Sequence, residues 1–327
     1  MAEIAVLGAG AWGTALAIQA ARANAASVAL WARDPAEAAM IAMTRENTRR
    51  LPGAILPASV AMTSSLDEAL SGAELVILAI PVQHLRGLLA RLPAALPPVL
   101  IAAKGVEQTT LLMPLELVAS LRPQHQAIIL SGPNFAHEIA AGLPAAAVVA
   151  SPDTSLHQSV IARLGTPAFR LYGNLDAIGV QVGGAAKNVI AIAAGIVIGA
   201  GLGENARAAL ITRGLAEIGR LAAGLGGRSE TVAGLSGLGD LLLTATSLAS
   251  RNTSLGVALG RGQSLTEILA AREAVTEGVT TAPALLARAA AEGIELPISE
   301  AVAAILAGRL RVREAMETLL ARPMRQE

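Results

Sequence analysis

Two lysines, Lys104 and Lys187, stand against 23 arginines in a chain of 327 residues. A guanidinium stays charged at every working pH, whereas an ammonium is compact and gives up a proton more readily when partly buried. Where fixed cations are written as arginine, the lysines that remain are candidates for proton chemistry. Both sit in apolar company. Lys104 closes the run Val99-Leu100-Ile101-Ala102-Ala103, and Lys187 interrupts an apolar stretch from Val182 to Leu202. A lysine desolvated in the small-residue segment Gly183-Gly184-Ala185-Ala186-Lys187-Asn188 would have a lowered pKa and exchange a proton near neutrality. The competing reading is a side chain that snorkels from a helix end.

A carboxylate and a phosphate cradle complete the candidate chemistry of the second half. In Gly237-Leu238-Gly239-Asp240-Leu241-Leu242-Leu243-Thr244, Asp240 and Thr244 are four apart and share one helix face. Asp240 can orient a lysine or simply cap the helix. Ser250-Arg251-Asn252-Thr253 precedes another helical stretch and offers backbone donors, a charge and side-chain hydrogen bonds to a phosphate. The alternative there is an ordinary polar cap with a surface arginine.

The N-terminal segment carries a different signal. Gly8-Ala9-Gly10-Ala11-Trp12-Gly13 follows an apolar strand, Ile4 to Leu7, and opens a helix from Thr14 to Ala23. In that strand–turn–helix context the pattern reads as a dinucleotide turn. Gly8 allows the turn, Gly10 lets backbone approach a pyrophosphate, and Gly13 lets the helix pack on the strand. Arg33 follows the second strand, Val28 to Trp31, where it can pair with a 2′-phosphate, so NADP is expected, with NAD left open. Asp34 reads as a cap before Pro35.

The elements that must position these residues follow from apolar runs. Leu75 to Ile80, Val99 to Ala103, Ile128 to Leu130 and Ala145 to Val149 read as further strands separated by helices. Near-continuous apolar strands of this kind build a parallel sheet covered on both faces. Ligands bind beyond the carboxyl ends of such strands, which brings Arg33, Lys104 and Ser131-Gly132-Pro133-Asn134 forward. After about Asp176 only helical signals remain. The expected architecture is α/β: a Rossmann-type, doubly wound, mainly parallel domain over residues 1–177, then an all-α domain over 178–327.

Formal net charge is zero, which argues against a nucleic-acid partner. With no cysteine there is no disulfide framework and no thiolate metal site, so a cytoplasmic location is the default. The one membrane-like stretch, Val189 to Leu202, is short and glycine-interrupted, so no membrane insertion is expected. No metal is expected.

Taken in order, these segments resemble the bacterial NAD(P)-dependent glycerol-3-phosphate dehydrogenase family. The likeness runs nearly end to end through the Gly8–Ala17 segment, Ala103-Lys104-Gly105, Ser131 to Glu138, Gly183 to Ala191, Asn205 to Gly214, Gly237 to Leu241, Ser250-Arg251-Asn252 and Glu277-Gly278. The resemblance implies that Lys187 is the proton donor and acceptor, with Lys104 and Asp240 assisting. It implies that Lys104, Gly132, Asn134, Lys187, Asn188, Asp240, Thr244, Ser250, Arg251 and Asn252 meet the substrate. It implies that Gly8, Gly10, Ala11, Trp12, Gly13, Arg33, Lys104, Ala136, Arg251, Val275 and Glu277 line the cofactor. Asn134 stands where some members carry Ser or Thr, and Ala11 and Thr276 also depart from the commoner pattern, so backbone roles are expected nearby.

The implied reaction interconverts sn-glycerol 3-phosphate and dihydroxyacetone phosphate with NADP or NAD and feeds glycerophospholipid synthesis. A homodimer is implied as well. Rival readings are another two-domain dehydrogenase, of the 2-hydroxyacid or 3-hydroxyacyl-CoA type, and a dinucleotide-sensing protein without turnover.

Overall fold

A computed structural model describes residues 2–23, 25, 27–272 and 276–321. The chain divides into two compact units. One joins Met1–Lys104 to Leu112–Val180; the other joins Gly105–Leu111 to the chain from Gln181 onward.

The first unit is built on one sheet of eight strands: β1 (Ile4–Leu7), β2 (Val28–Trp31), β3 (Val60–Thr63), β4 (Leu75–Leu78), β5 (Val99–Ile101), β6 (Ala127–Ser131), β7 (Ala145–Ala150) and β8 (Phe169–Asn174). Their order is β3-β2-β1-β4-β5-β6-β7-β8. All neighbours are parallel except β6 and β7. Strands β1, β2, β4 and β5 are buried along their whole length, as a sheet covered on both faces requires. The helices of this unit are α1 (Ala11–Arg22), α2 (Pro35–Thr44), α3 (Leu66–Leu70), α4 (Val82–Leu89), α5 (Pro114–Leu121), α6 (Ala136–Ala141) and α7 (Thr154–Leu164).

Two strands, β3 and β8, are absent from the sequence expectation. Both are edges. In β8, Phe169 and Leu171 are buried while Arg170 and Tyr172 face water. Strand β3 buries only Val60. Edge strands with a wet side lack the continuous apolar run that betrays a central strand.

The second unit is helical: α8 (Ala177–Gly199), α9 (Glu204–Gly224), α10 (Ser229–Val232), a π-helical turn over Leu235–Gly239, α11 (Asp240–Thr246), α12 (Arg251–Gly260), α13 (Leu265–Ala270), α14 (Glu277–Ala291), α15 (Pro297–Leu306) and α16 (Val312–Leu320). The unit boundary falls inside α8, just after Val180. Helix α8 is long and apolar enough to cross a membrane, but 83% of its most apolar window is buried within the protein. Glycines bring α8 and α12 almost into backbone contact. A Cβ on Gly195 would run into the Thr253 carbonyl, and one on Gly256 into the Ile192 carbonyl. That close approach sets Lys187 and Asn188 on α8 beside the residues of α11 and α12.

Candidate active site

The glycine turn has the shape that a dinucleotide needs. Gly8 has φ +121°, a region that L side chains rarely adopt, and a Cβ there would lie 2.6 Å from the Ala79 carbonyl oxygen. Gly13 packs so close to the Gly8 carbonyl that a Cβ would overlap it. A Cβ on Gly10, in contrast, would meet nothing within 4 Å. Gly10 caps α1 without a side-chain hydrogen bond, so the first-turn N–H groups of Ala11, Trp12 and Gly13 are left for an anion. Turn, open face and helix start together fit a pyrophosphate.

Arg33 lies at the end of β2 with an exposed side chain. Asp34 is the cap of α2: its Oδ1 accepts from the Ala36 N–H at 2.9 Å. That leaves the arginine as the charged side chain that ends β2 and is not committed to a cap. Lys104, just past β5, donates from Nζ to the Gly132 carbonyl at 3.3 Å. Gly132 has φ +150°, and a Cβ there would sit 2.9 Å from the Ala147 Cα. Asn134 lies two residues on, with its Oδ1 buried and unpartnered, and the Ser131 hydroxyl is buried and unpartnered too. Buried polar atoms without a partner are uncommon and mark where a ligand group can bind. Ala136 opens α6 and packs, with Ala11 and Trp12, against the core of this unit.

In the helical unit Lys187 is 9% exposed and Asp240 1%. Lys187 Nζ donates to Asp240 Oδ1 at 2.7 Å and to Thr244 Oγ1 at 2.7 Å. The Thr244 hydroxyl itself donates back to the Asp240 carbonyl at 2.6 Å, which leaves its lone pair for the ammonium. Asp240 is not the N-cap of α11, a position that Gly239 holds. Its backbone is already helical, at the join between the π turn and α11, and its carboxylate faces the lysine. Nor does Lys187 snorkel; it lies mid-helix and pairs inside the unit. The carboxylate stabilises the ammonium that burial would otherwise disfavour.

A second network runs beside it. Asn252 Nδ2 donates to Asn188 Oδ1 at 2.9 Å, and Asn252 Oδ1 accepts from the Gly278 N–H at 3.0 Å. Asn188 Nδ2 donates to Glu277 Oε2 at 3.3 Å. Ser250 caps α12, its Oγ accepting from the Thr253 N–H at 3.3 Å. Arg251 is exposed in the first turn of α12. Val275 lies outside the described residues.

Sequence reasoning missed Arg272. Its guanidinium donates to the Arg251 carbonyl at 2.9 Å and to Ser254 Oγ at 3.1 Å. Burial, then the Arg251 charge, hold it below the usual arginine range. Two guanidiniums at one helix start form a site that an anion would relieve. No motif announces Arg272, because α13 separates it from α12 in sequence.

A family model described as NAD-dependent glycerol-3-phosphate dehydrogenase N-terminus matches residues 3–157, and its C-terminal counterpart matches residues 176–317. The chain belongs to this family. It is 50% identical to the glycerol-3-phosphate dehydrogenase (NAD(P)+) of Rhodospirillum rubrum, over 99% of this chain and 94% of that protein. It is 52% identical to the enzyme of the same name from Gluconobacter oxydans, over 85% and 84% of the two chains. The crystal structure of glycerol-3-phosphate dehydrogenase from Coxiella burnetii superposes with a TM-score of 0.94 at 38% identity, covering 98% of this chain and 99% of that one. An NAD(P)-dependent dehydrogenase family accounts for both halves of the geometry: a dinucleotide turn in one unit and a buried lysine–carboxylate pair in the other.

Proposed function

We propose that this chain interconverts sn-glycerol 3-phosphate and dihydroxyacetone phosphate. The observation that carries the proposal is the buried Lys187–Asp240–Thr244 cluster, in a unit that also presents Arg251 and Arg272 at one helix start. A proton donor and a phosphate cradle are what a small phosphorylated ketone requires.

NADP or NAD, held by the glycine turn from Gly8 to Gly13, would supply or accept the hydride. In the reducing direction negative charge develops on the substrate oxygen, and Lys187 delivers a proton to it from Nζ. Asp240 holds the ammonium in line and stabilises the charged form. Thr244, locked by its bond to the Asp240 carbonyl, fixes the rotamer of the amine. In the oxidising direction the same amine removes the hydroxyl proton. Family membership supports Lys104, Asn134 and Gly132 as further substrate contacts. Arg251 and Asn252 hold the phosphate, with Ser250 keeping the helix start formed; Asn188 fixes the Asn252 amide. On the cofactor, Gly8, Gly10, Ala11, Trp12 and Gly13 receive the pyrophosphate, Arg33 the 2′-phosphate of NADP, and Ala136, Arg251, Val275 and Glu277 the remainder. The enzyme acts in the cytoplasm as a homodimer, and its product feeds glycerophospholipid synthesis; family membership supports these points.

Following NADPH absorbance with dihydroxyacetone phosphate tests the activity. Oxidation of NADPH dependent on that ketone is expected. NADPH binding without any absorbance change would make the chain a sensor, and turnover of an unphosphorylated 2-keto acid instead would make it a different dehydrogenase.

A further inference from the structure

Nothing in the stretch from Arg45 to Pro57 carries a sequence motif, yet it is built as carefully as the sheet. Arg45 ends α2 in the left-handed region at φ 57°. Its guanidinium donates to the carbonyls of Val60 at 2.9 Å, Leu56 at 3.1 Å and Pro57. Glu46 accepts from the Gly53 N–H at 2.7 Å. Leu51 and Leu56 anchor the stretch in the core of the first unit.

What this scaffold presents is Asn47, 1% exposed. Its Oδ1 accepts from the Arg50 N–H at 3.3 Å. Its Nδ2 donates to the Ala9 carbonyl and to Thr14 Oγ1, both at 2.9 Å. Ala9 lies between Gly8 and Gly10, and Thr14 in the first turns of α1. One amide therefore clamps the middle of the glycine turn to the helix that follows it.

We propose that Asn47 is the positioning residue of the dinucleotide turn. A trans peptide is planar, with C=O and N–H pointing opposite ways. Holding the Ala9 carbonyl therefore fixes the direction of the Gly10 N–H, which points away from Asn47. Gly10 is the turn glycine with open space at its Cα. That peptide turns about the Ala9 ψ and the Gly10 φ, and Gly10 has no Cβ to restrict the turn, so an outside restraint is needed to keep it in one orientation. Asn47 supplies the restraint from 38 residues away in sequence. Asn47 acts on the Ala9–Gly10 peptide and not on the ligand; it sets the geometry of the group that meets the ligand.

The proposal rests on the glycine turn being the dinucleotide site. The test measures the Kd of NADPH by calorimetry and the thermal midpoint for wild type, Asn47→Asp, Asn47→Ala and Gln19→Met. Asn47→Asp keeps the acceptor for Arg50 and loses both donors. Gln19 is a buried residue of α1 that bonds the Leu164 carbonyl at 2.9 Å, so Gln19→Met perturbs the same helix away from the turn. The Asn47 variants are expected to raise Kd about tenfold or more, the scale of one misdirected hydrogen bond to an anion, while Gln19→Met stays within about twofold at a comparable loss of thermal midpoint. A folded Asn47 variant with wild-type Kd would overturn the proposal. So would an equal rise in Kd for Gln19→Met, or failure of both Asn47 variants to fold, either of which makes Asn47 a structural residue only. A wild-type chain that binds no NADPH is a separate failure and removes the turn assignment itself.

Discussion

At the scale of single residues the proposed chemistry rests on one amine. Lys187 is held by an acid at 2.7 Å and a hydroxyl at 2.7 Å, and the hydroxyl has its own proton committed elsewhere. Lys187→Ala should lower kcat by roughly 10²–10⁴, the scale of a lost general acid. A steady-state kcat near wild type would remove Lys187 from proton transfer. Arg251→Ala should raise KM for glycerol 3-phosphate about tenfold or more, because a charge-assisted contact is lost. The comparison is with unphosphorylated glycerol, and an equal loss there would contradict a phosphate role. Lys187 was legible in the sequence because lysine is so rare in it. Arg272 and Asn47 were not, since an arginine among 23 and an asparagine in a polar loop carry no contrast.

At the scale of elements, helix starts and helix crossings do the positioning. Gly13 admits no side chain, so Gly13→Ala should cost about 3 kcal/mol or more in urea unfolding and abolish NADPH binding; a mild effect on both would mean that α1 can move away from β1. Helix α15 begins at Pro297 and is capped from another helix. Buried Glu217 of α9 accepts from the N–H groups of Ile298 at 2.5 Å and Ser299 at 3.2 Å, and from Ser299 Oγ at 3.1 Å. Burial pushes its carboxyl above the usual 4.5, against the pull of those bonds and of the Arg220 charge. A raised folded-state pKa means that the folded chain binds the proton more tightly. Its contribution to stability is complete below 4.5 and is lost as pH rises through the folded value. Urea midpoints from pH 4 to 8 should therefore show Glu217→Gln gaining on wild type as pH rises; a constant gap would refute it. The central strands and long helices were readable because burial on every side leaves an unbroken apolar run. Strands β3 and β8 were not, because an edge needs only half its residues inside.

At the scale of the whole molecule, labour is divided between the two units. One holds the glycine turn, Arg33 and Lys104; the other holds the lysine–carboxylate pair and the arginines of α12 and its neighbour. Ligand binding to the folded state raises its stability by about 2.7 kcal/mol at 100 times Kd. NADPH at that excess should therefore raise the thermal midpoint of wild type and of Lys187→Ala alike, since Lys187 is not among the residues placed on the dinucleotide. A shift seen in wild type and lost in Lys187→Ala would tie dinucleotide affinity to the lysine and contradict that division.

The linear order of residues was enough to determine the class of fold, the glycine turn with its helix, and the identity of the rare amine. Each is a local matter: periodicity, backbone freedom, or contrast in composition. Only the folded chain decided that Asp240 faces Lys187 instead of capping a helix, that Asn252 is held by Asn188, and that Asn47 grips the Ala9 carbonyl. Those pairs are 53, 64 and 38 residues apart. Side-chain hydrogen bonds reach about 3 Å, so such partners are chosen by packing, and packing is a property of the assembled elements.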